Sequence, residues 1–242
     1  MNNYKLKIQY DGTNYAGWQI QENASTVQQK IVETIEVLTK FRVNLIGSGR
    51  TDSGVHALGQ VANFKIDVDL DLYRFSHSLN AILPKDISIT GIHNIGENFH
   101  SRFDAKKRSY IYLISKIKSP FYYPYSWHYH EPIDILKLRK LSEPLIGRFD
   151  FTSFARKNTE TENKVCEVFQ ISWRESKEFV IFFIEANRFL HGMVRTIVGT
   201  LMKLVKEKEG TKLIKELINL KDREAAGEAV PAQGLFLYKV NY

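Results

Sequence analysis

The chain has 242 residues, of which 43% are hydrophobic and 25% charged, a composition typical of a globular protein with a sizeable core. It contains no run of about 18 apolar residues that would predict a membrane span. The first ten residues alternate as a strand does, which argues against a signal peptide. A single cysteine, Cys166, excludes an internal disulfide framework and favours a reducing, cytoplasmic location.

Charge is distributed unevenly along the chain. The 34 basic and 27 acidic residues give a net charge of +7. Residues 1–105 carry 10 basic and 11 acidic side chains (−1), and residues 106–242 carry 24 and 16 (+8). A basic half in a chain with 12% aromatic residues suits a polyanion with exposed bases, although a merely soluble basic protein fits the charge equally well.

The first half predicts the element order β-α-β-β-α-β. Alternating apolar residues indicate the first strand, and Ser25 or Thr26 is placed to cap a helix that runs to about Phe41. Gln60–Asp67 predicts a later strand, and Pro84 ends a second helix. The remaining predicted elements are a strand at Asn44–Ile46, the helix at Leu72–Ile82 and a strand at Ile87–Ile95.

The second half repeats this rhythm loosely. Its predicted strands lie at Arg108–Ser115, Val165–Trp173, Phe179–Ala186 and Leu235–Val240, and its predicted helices at Ile133–Leu145, Phe189–Lys206 and Lys212–Asn219. The order predicts an α+β protein of two ferredoxin-like (RRM-like) halves. We expect a joined mixed, mainly antiparallel sheet flanked by helices, with a central active-site cleft. The halves are residues 1–105 and 106–242.

The glycine-rich stretch GSGRTDSGVHA at residues 47–57 is the most informative motif. Its glycines permit positive φ and close approach of another chain, while Arg50 and Asp52 offer opposite charges at one turn. A purely structural turn with an ion pair is one interpretation. A phosphate-binding P-loop lacks its Gly-Lys-Ser/Thr ending, and the pair His128 and His130 has no third ligand in view that would predict a metal site.

The sequence resembles the TruA family of tRNA pseudouridine synthases. Several motifs carry the resemblance in the family's order and together span almost the whole chain: YDGTNYAGWQIQ (10–21), TVQ (26–28), GSGRTDSGVHA (47–57), RSYIY (108–112), FLHGMVR (189–195) and VPAQGLFL (230–237). One block alone would be weak evidence, but the ordered set is specific. Gly192 stands where many relatives carry a bulkier residue, a departure that touches no catalytic assignment.

This resemblance implies a role for each of four residues. Asp52 matches the family's nucleophile, and Arg50 matches a residue implicated in RNA contact and extrusion of the target base. Tyr110 matches the tyrosine that stacks on the target uracil, and Arg195 matches the arginine that pairs with the catalytic carboxylate. The family acts on uridines 38, 39 and 40 in the anticodon arm of tRNA and works as a homodimer.

The chemistry agrees with these implied roles. Conversion of uridine to pseudouridine breaks the N1–C1′ bond and forms a C5–C1′ bond without redox change or group transfer, so we expect no cofactor and no metal. A carboxylate that stays ionised in a water-poor pocket is able to form a covalent intermediate, and Arg50 or Arg195 would supply the stabilising positive charge. Whether Asp52 attacks C1′ or C6 stays open, as does a proton-abstracting role for Tyr110. A catalytically silent RNA-binding protein of the same fold is the alternative.

Overall fold

The structure is a computed structural model that describes residues 1–157 and 162–242. The described residues form ten strands and five α-helices, with short 3-10 turns between them. Two compact units make up the chain: unit 1 comprises residues 1–106 and 236–242, and unit 2 comprises residues 107–235. None of the helices in the described ranges is long and apolar enough to cross a membrane.

Unit 1 contains a sheet in which most neighbouring strands are antiparallel. Its elements are β1 (Asn2–Tyr10), α1 (Val27–Thr39), β2 (Ile46–Gly47), β3 (His56–Ile66), α2 (Leu72–Ile82), β4 (Ile87–Ile95) and most of β10 (Leu235–Asn241). The strand order is β4-β1-β3-β10, and β2 also pairs with β3. Strand β10 runs parallel to β3, with Phe236 opposite His56. The sequence assigned this last strand to residues 106–242, whereas the structure groups it with residues 1–106.

The core of unit 1 follows from alternation along β1. Tyr4, Leu6 and Ile8 are fully buried, and the intervening lysines lie on the other face. Helix α1 begins where the side chain of Thr26 accepts a hydrogen bond from the Gln29 N–H, as a capping residue does. It ends at Thr39, before the predicted end at Phe41, because the following Lys40 has a left-handed backbone.

In unit 2 the strand order is β5-β9-β8-β7, all antiparallel, and β6 pairs parallel to β5. Its elements are β5 (Lys107–Ser115), β6 (Trp127–His128), α3 (Ile135–Ser142), β7 (Gly147–Asp150), β8 (Val165–Glu175), β9 (Phe179–Ala186), α4 (Met193–Leu204) and α5 (Gly210–Leu220). Mixed and mainly antiparallel pairing within the units confirms the α+β prediction.

The core of unit 2 is aromatic and β-branched. Tyr112 lies opposite Phe182 in the β5–β9 register, and both are fully buried. Trp173 packs on Phe182 with ring centroids 4.7 Å apart. Cys166 is also buried, and burial raises the pKa of its thiol to about 11, so the thiolate is scarce at neutral pH.

Candidate active site

Asp52 lies in the loop between β2 and β3 of unit 1. Its side chain is half-buried, while Arg50 two residues earlier is exposed. The Val55 N–H donates to the Asp52 carbonyl at 3.1 Å, which closes a tight turn directly after the aspartate. The turn presents Asp52 next to the exposed Ser53.

The segment Tyr10–Trp18 holds this loop on both sides of Asp52. The Trp18 N–H donates to the Thr51 carbonyl at 3.1 Å, and the Gly54 N–H donates to the Tyr15 carbonyl at 3.3 Å. The Tyr10 and Thr51 hydroxyls lie 2.7 Å apart and share a buried hydrogen bond. These hydrogen bonds hold Thr51 and Gly54, which lie on either side of Asp52. The backbone of Asp52 is therefore held in place, as a nucleophile requires.

Two glycines make this close approach possible. A Cβ on Gly12 would lie 2.1 Å from the Val55 carbonyl oxygen, and a Cβ on Gly17 would lie 2.5 Å from the Thr51 carbonyl oxygen. Gly17 also has a φ of 98°, which side-chain-bearing residues rarely adopt. The YDG and AGW pieces of the sequence motif are therefore the surface against which the Asp52 loop closes.

His56 supports the same loop from beneath. It is buried, stacks on Phe236 with centroids 4.6 Å apart, and accepts a hydrogen bond from the Gly12 N–H at Nδ1 over 3.0 Å. The same Nδ1 lies 3.0 Å from Oδ1 of Asp11, a contact that needs a proton on this nitrogen. We assign the bond from Gly12, because Asp11 Oδ1 already accepts two bonds from Thr13 and the Gly12 N–H is buried.

Tyr110 lies on β5 in unit 2 with 7% of its surface exposed. Its ring meets Phe189 edge to face, with centroids 5.0 Å apart and an interplanar angle of 85°. This edge-to-face contact helps to hold the plane of the Tyr110 ring. Phe189 opens the FLHGMVR motif, so two of the sequence motifs meet at this ring.

Arg195 lies in the first turn of α4 in the same unit. The helix begins after Gly192, whose φ is 72°, rather than at the predicted Phe189, because a left-handed residue cannot continue an α-helix. The half-buried guanidinium donates from Nε to the Val230 carbonyl at 2.7 Å, and the Val230 N–H donates back to the Arg195 carbonyl at 3.3 Å. One edge of the guanidinium is thereby fixed.

Tyr112 links Arg195 to the VPAQG motif. Its hydroxyl donates to the Pro231 carbonyl at 2.8 Å, and a Cβ on Gly234 would lie 2.7 Å from its ring. Burial raises the pKa of Tyr112, and the positive charge of Arg195 opposes that rise, so the two side chains interact electrostatically. Tyr112 is therefore a neutral, buried residue whose hydroxyl is bonded to the VPAQG segment.

The four residues predicted from the sequence fall into two pairs. Arg50 and Asp52 share one loop of unit 1, and Tyr110 and Arg195 belong to unit 2. The supports that sequence reasoning missed are Tyr10, Thr51 and the carbonyls of Val230 and Pro231; only the motif letters around them hinted at a role. Among the residues that the structure describes, no group of three or more His, Cys, Asp or Glu side chains is arranged to hold a metal.

A family model described as tRNA pseudouridine synthase matches residues 7–104 and 141–242. The match covers most of the chain and includes three of the four predicted site residues, Arg50, Asp52 and Arg195, but not Tyr110. It defines the class of protein as a pseudouridine synthase, an isomerase of RNA uridine.

Curated relatives extend the likeness over the full length. The chain is 43% identical to tRNA pseudouridine synthase A 1 of Protochlamydia amoebophila (strain UWE25), covering 100% of this chain and 97% of that protein. It is 39% identical to tRNA pseudouridine synthase A of Thermoanaerobacter sp. (strain X514), covering 100% of both chains. The chain therefore belongs to the TruA family of tRNA pseudouridine synthases.

Solved structures offer a more distant likeness. A chain in the structure of an H/ACA RNP bound to a substrate RNA containing 2′-deoxyuridine aligns with a TM-score of 0.41 and 10% identity. The alignment covers 83% of this chain and 43% of that one. A likeness of this size carries no conclusion about the site.

Proposed function

We propose that the protein converts uridine to pseudouridine in the anticodon arm of tRNA, at positions 38, 39 and 40, with Asp52 as its nucleophile. Membership of the family establishes the reaction class, which is isomerisation of uridine in tRNA. The observation that carries the assignment to Asp52 is the loop itself: a half-buried carboxylate whose neighbouring residues are held on both sides by hydrogen bonds from Tyr10–Trp18.

The proposed reaction requires a nucleophile and no cofactor. The N1–C1′ bond breaks, the uracil turns in place, C1′ bonds to C5, and the proton on C5 leaves while N1 gains one. A carboxylate that adds to the substrate divides this rearrangement into two smaller barriers. Asp52 is half-buried, so it is accessible to a base and shielded from bulk water.

The other three residues would bind the substrate. Arg50 is exposed beside the loop and is suited to contact RNA and displace the target base. Tyr110, with its ring plane fixed by Phe189, would stack on the extruded uracil. Arg195, whose Nε donates to the Val230 carbonyl, would pair with the Asp52 carboxylate.

The finer architecture belongs to the same proposal. We infer two ferredoxin-like halves around a central active-site cleft, and the connectivity β1-α1-β2-β3-α2-β4 in unit 1 supports the first of them. The family resemblance further implies a cytoplasmic homodimer with the tRNA lying across two subunits.

The decisive experiment replaces Asp52 by asparagine. We expect turnover to fall by about 10⁴-fold or more, as removal of a nucleophile does in other enzymes, because the amide cannot form the ester intermediate. Release of tritium from tRNA labelled at C5 of uridine measures the reaction directly, since the C5 hydrogen leaves in every turnover. Affinity for tRNA should stay within about threefold, because few phosphate contacts are altered.

Asp67→Asn is the matched control. Asp67 is an exposed carboxylate of the same unit outside the loop, so its variant should release tritium at the wild-type rate. Substantial tritium release by folded Asp52→Asn would reject Asp52 as the nucleophile. A wild-type protein that binds tRNA without releasing tritium would instead support the catalytically silent RNA-binding alternative.

A further inference from the structure

A basic pocket opens on the surface of unit 2, outside the four residues assigned above. Its volume is about 340 Å³. The lining comes from the loop after β7, the residue before β8 and the turn after α5: Thr152, Ala155, Arg156, Lys157, Lys164, Lys221, Asp222, Arg223 and Glu224. These nine residues form the basic pocket.

Positive charge dominates the basic pocket. Five cationic side chains and two carboxylates line it, which leaves an excess of three positive charges. Part of this charge is internally balanced: Lys157 lies 2.5 Å from Glu224, and Lys221 lies 3.1 Å from Asp150 outside the lining. These bridges preorganise two of the lysines, while Arg156 and Lys164 have no carboxylate partner among the ion pairs of the described residues.

The residues that line the basic pocket favour a phosphate group over a nucleobase as the ligand. No aromatic side chain lines the pocket, so it offers no platform on which a base would stack. Clustered lysine and arginine donors are the groups that bind backbone phosphates and fix the register of a nucleic acid.

The pocket also adjoins the segment that leads to Arg195. The Arg156 N–H donates to the His191 carbonyl at 2.9 Å, and the Arg156 guanidinium lies 3.5 Å from the His191 ring. A Cβ on Gly192 would be 3.9 Å from Cβ of Arg156, so these two segments of the chain are in contact there. An anion in the pocket would therefore lie beside the start of α4, which carries Arg195.

We propose that the basic pocket binds a backbone phosphate of the tRNA substrate and so sets the position of the strand along the start of α4. The proposal rests on tRNA being the substrate and adds a phosphate subsite to it. It requires no new chemistry, because the contact positions the RNA and takes no part in bond breaking.

The double variant Arg156→Gln/Lys164→Gln tests the subsite. Loss of two phosphate-facing charges should raise the dissociation constant for tRNA about tenfold or more near 0.1 M salt and reduce the salt slope by about one to two. In steady-state tritium release, the loss should appear in KM rather than in kcat. The variants keep the long polar side chains, so the fold should be retained, and thermal unfolding checks this.

The matched control is Lys140→Gln/Lys177→Gln, which removes two exposed lysines of the same unit outside the pocket. It has the same net charge as the test variant and should bind tRNA nearly as the wild type does. Equal weakening by the two double variants would overturn the subsite, because the effect would then follow net charge alone. Activity of the wild-type protein reports on the proposed function separately.

Acylation of lysines with and without tRNA locates the contact in the intact protein. Bound tRNA should protect Lys157 and Lys164 from acylation and leave Lys177 reactive, as judged by mass spectrometry of peptides. Full reactivity of Lys164 under saturating tRNA would overturn the proposal. Protection by millimolar inorganic phosphate alone, without protection by tRNA, would assign the pocket to a small anion and overturn it as well.

Discussion

Tyr110 combines the features of a core residue and of a site residue. It is 93% shielded and packs edge-on against Phe189, yet the family resemblance gives it a stacking role. Tyr110→Phe keeps the ring and its edge contact, whereas Tyr110→Ala removes both. We expect Tyr110→Ala to destabilise the fold by about 3–5 kcal/mol and, in the molecules that remain folded, to lower single-turnover conversion strongly.

Single-turnover tritium release with the folded fraction measured in parallel separates the two roles. A Phe variant that folds and binds tRNA yet forms no pseudouridine would assign proton abstraction to the hydroxyl. Conversion near the wild-type rate in the folded molecules of each variant would reject any active-site role for Tyr110. Tyr112 serves as a contrast, because its buried hydroxyl is engaged by Pro231 and supports structure alone.

At the residue scale, the sequence motifs supply candidate side chains but not the groups that hold those side chains in place. Asp52 and Arg195 stand in motifs that can be read directly. Their partners are hard to read, because Val230 contributes a carbonyl 35 residues from Arg195 and Thr51 meets Tyr10 across 41 residues. A main-chain acceptor carries no side-chain identity, and two hydroxyls so far apart in sequence leave no local pattern, so the sequence predicts neither partner.

Among the elements, helix α4 depends on a glycine in close contact with another segment. A Cβ on Gly199 would lie 1.9 Å from the Glu228 carbonyl oxygen, and one on Gly227 would lie 2.8 Å from the Thr200 backbone. The segment 227–231 therefore rests directly on the helix. It carries the Val230 and Pro231 carbonyls that hold Arg195 and Tyr112.

Gly199→Ala should accordingly destabilise the protein by about 1–3 kcal/mol, because the clash outweighs the helix propensity of about 1 kcal/mol that alanine gains over glycine. Displacement of segment 227–231 should also lower kcat, through loss of the Arg195 support. Thermal unfolding and tritium release measure the two effects. Gly96→Ala is the control, since nothing lies within 4 Å of the added Cβ, and an unchanged melting temperature for Gly199→Ala would contradict the packing argument.

Element boundaries show where periodicity stops being informative. The apolar stripe of α4 predicted the helix itself, but the apolar residues Phe189 and Leu190 lie outside it, because Gly192 adopts a left-handed conformation. Strand β7 was missed altogether. Its sequence GRFD is short and poor in β-branched residues, and its pairing with β8 is set by tertiary contact.

For the whole molecule, the pattern of alternation and helical spacing was sufficient to predict an α+β protein with mainly antiparallel pairing. It was insufficient to place the last strand. Phe236 pairs with His56 across 180 positions, and such a pairing depends on which edge of β3 is open rather than on any local signal. Residues 236–242 thus belong to unit 1, although they follow unit 2 in the sequence.

Charge is the property of the whole chain that makes the broadest prediction. Residues 106–242 carry an excess of eight positive charges, whereas residues 1–105 carry a net charge of −1. Part of the excess lies in the basic pocket, where Arg156, Lys164 and Arg223 are among the lining side chains. Each phosphate that the protein neutralises releases condensed counterions, so affinity must fall as salt rises.

We expect the dissociation constant for tRNA to rise about a hundredfold between about 50 and 200 mM monovalent salt, the change that neutralisation of roughly four phosphates produces. Filter binding with inactive Asp52→Asn measures it without turnover, and thermal unfolding at the two salt concentrations separates lost affinity from lost folding. The Lys140→Gln/Lys177→Gln variant should keep the wild-type slope, whereas Arg156→Gln/Lys164→Gln should flatten it. An affinity almost independent of salt would mean that the positive charge of residues 106–242 does not face the RNA backbone.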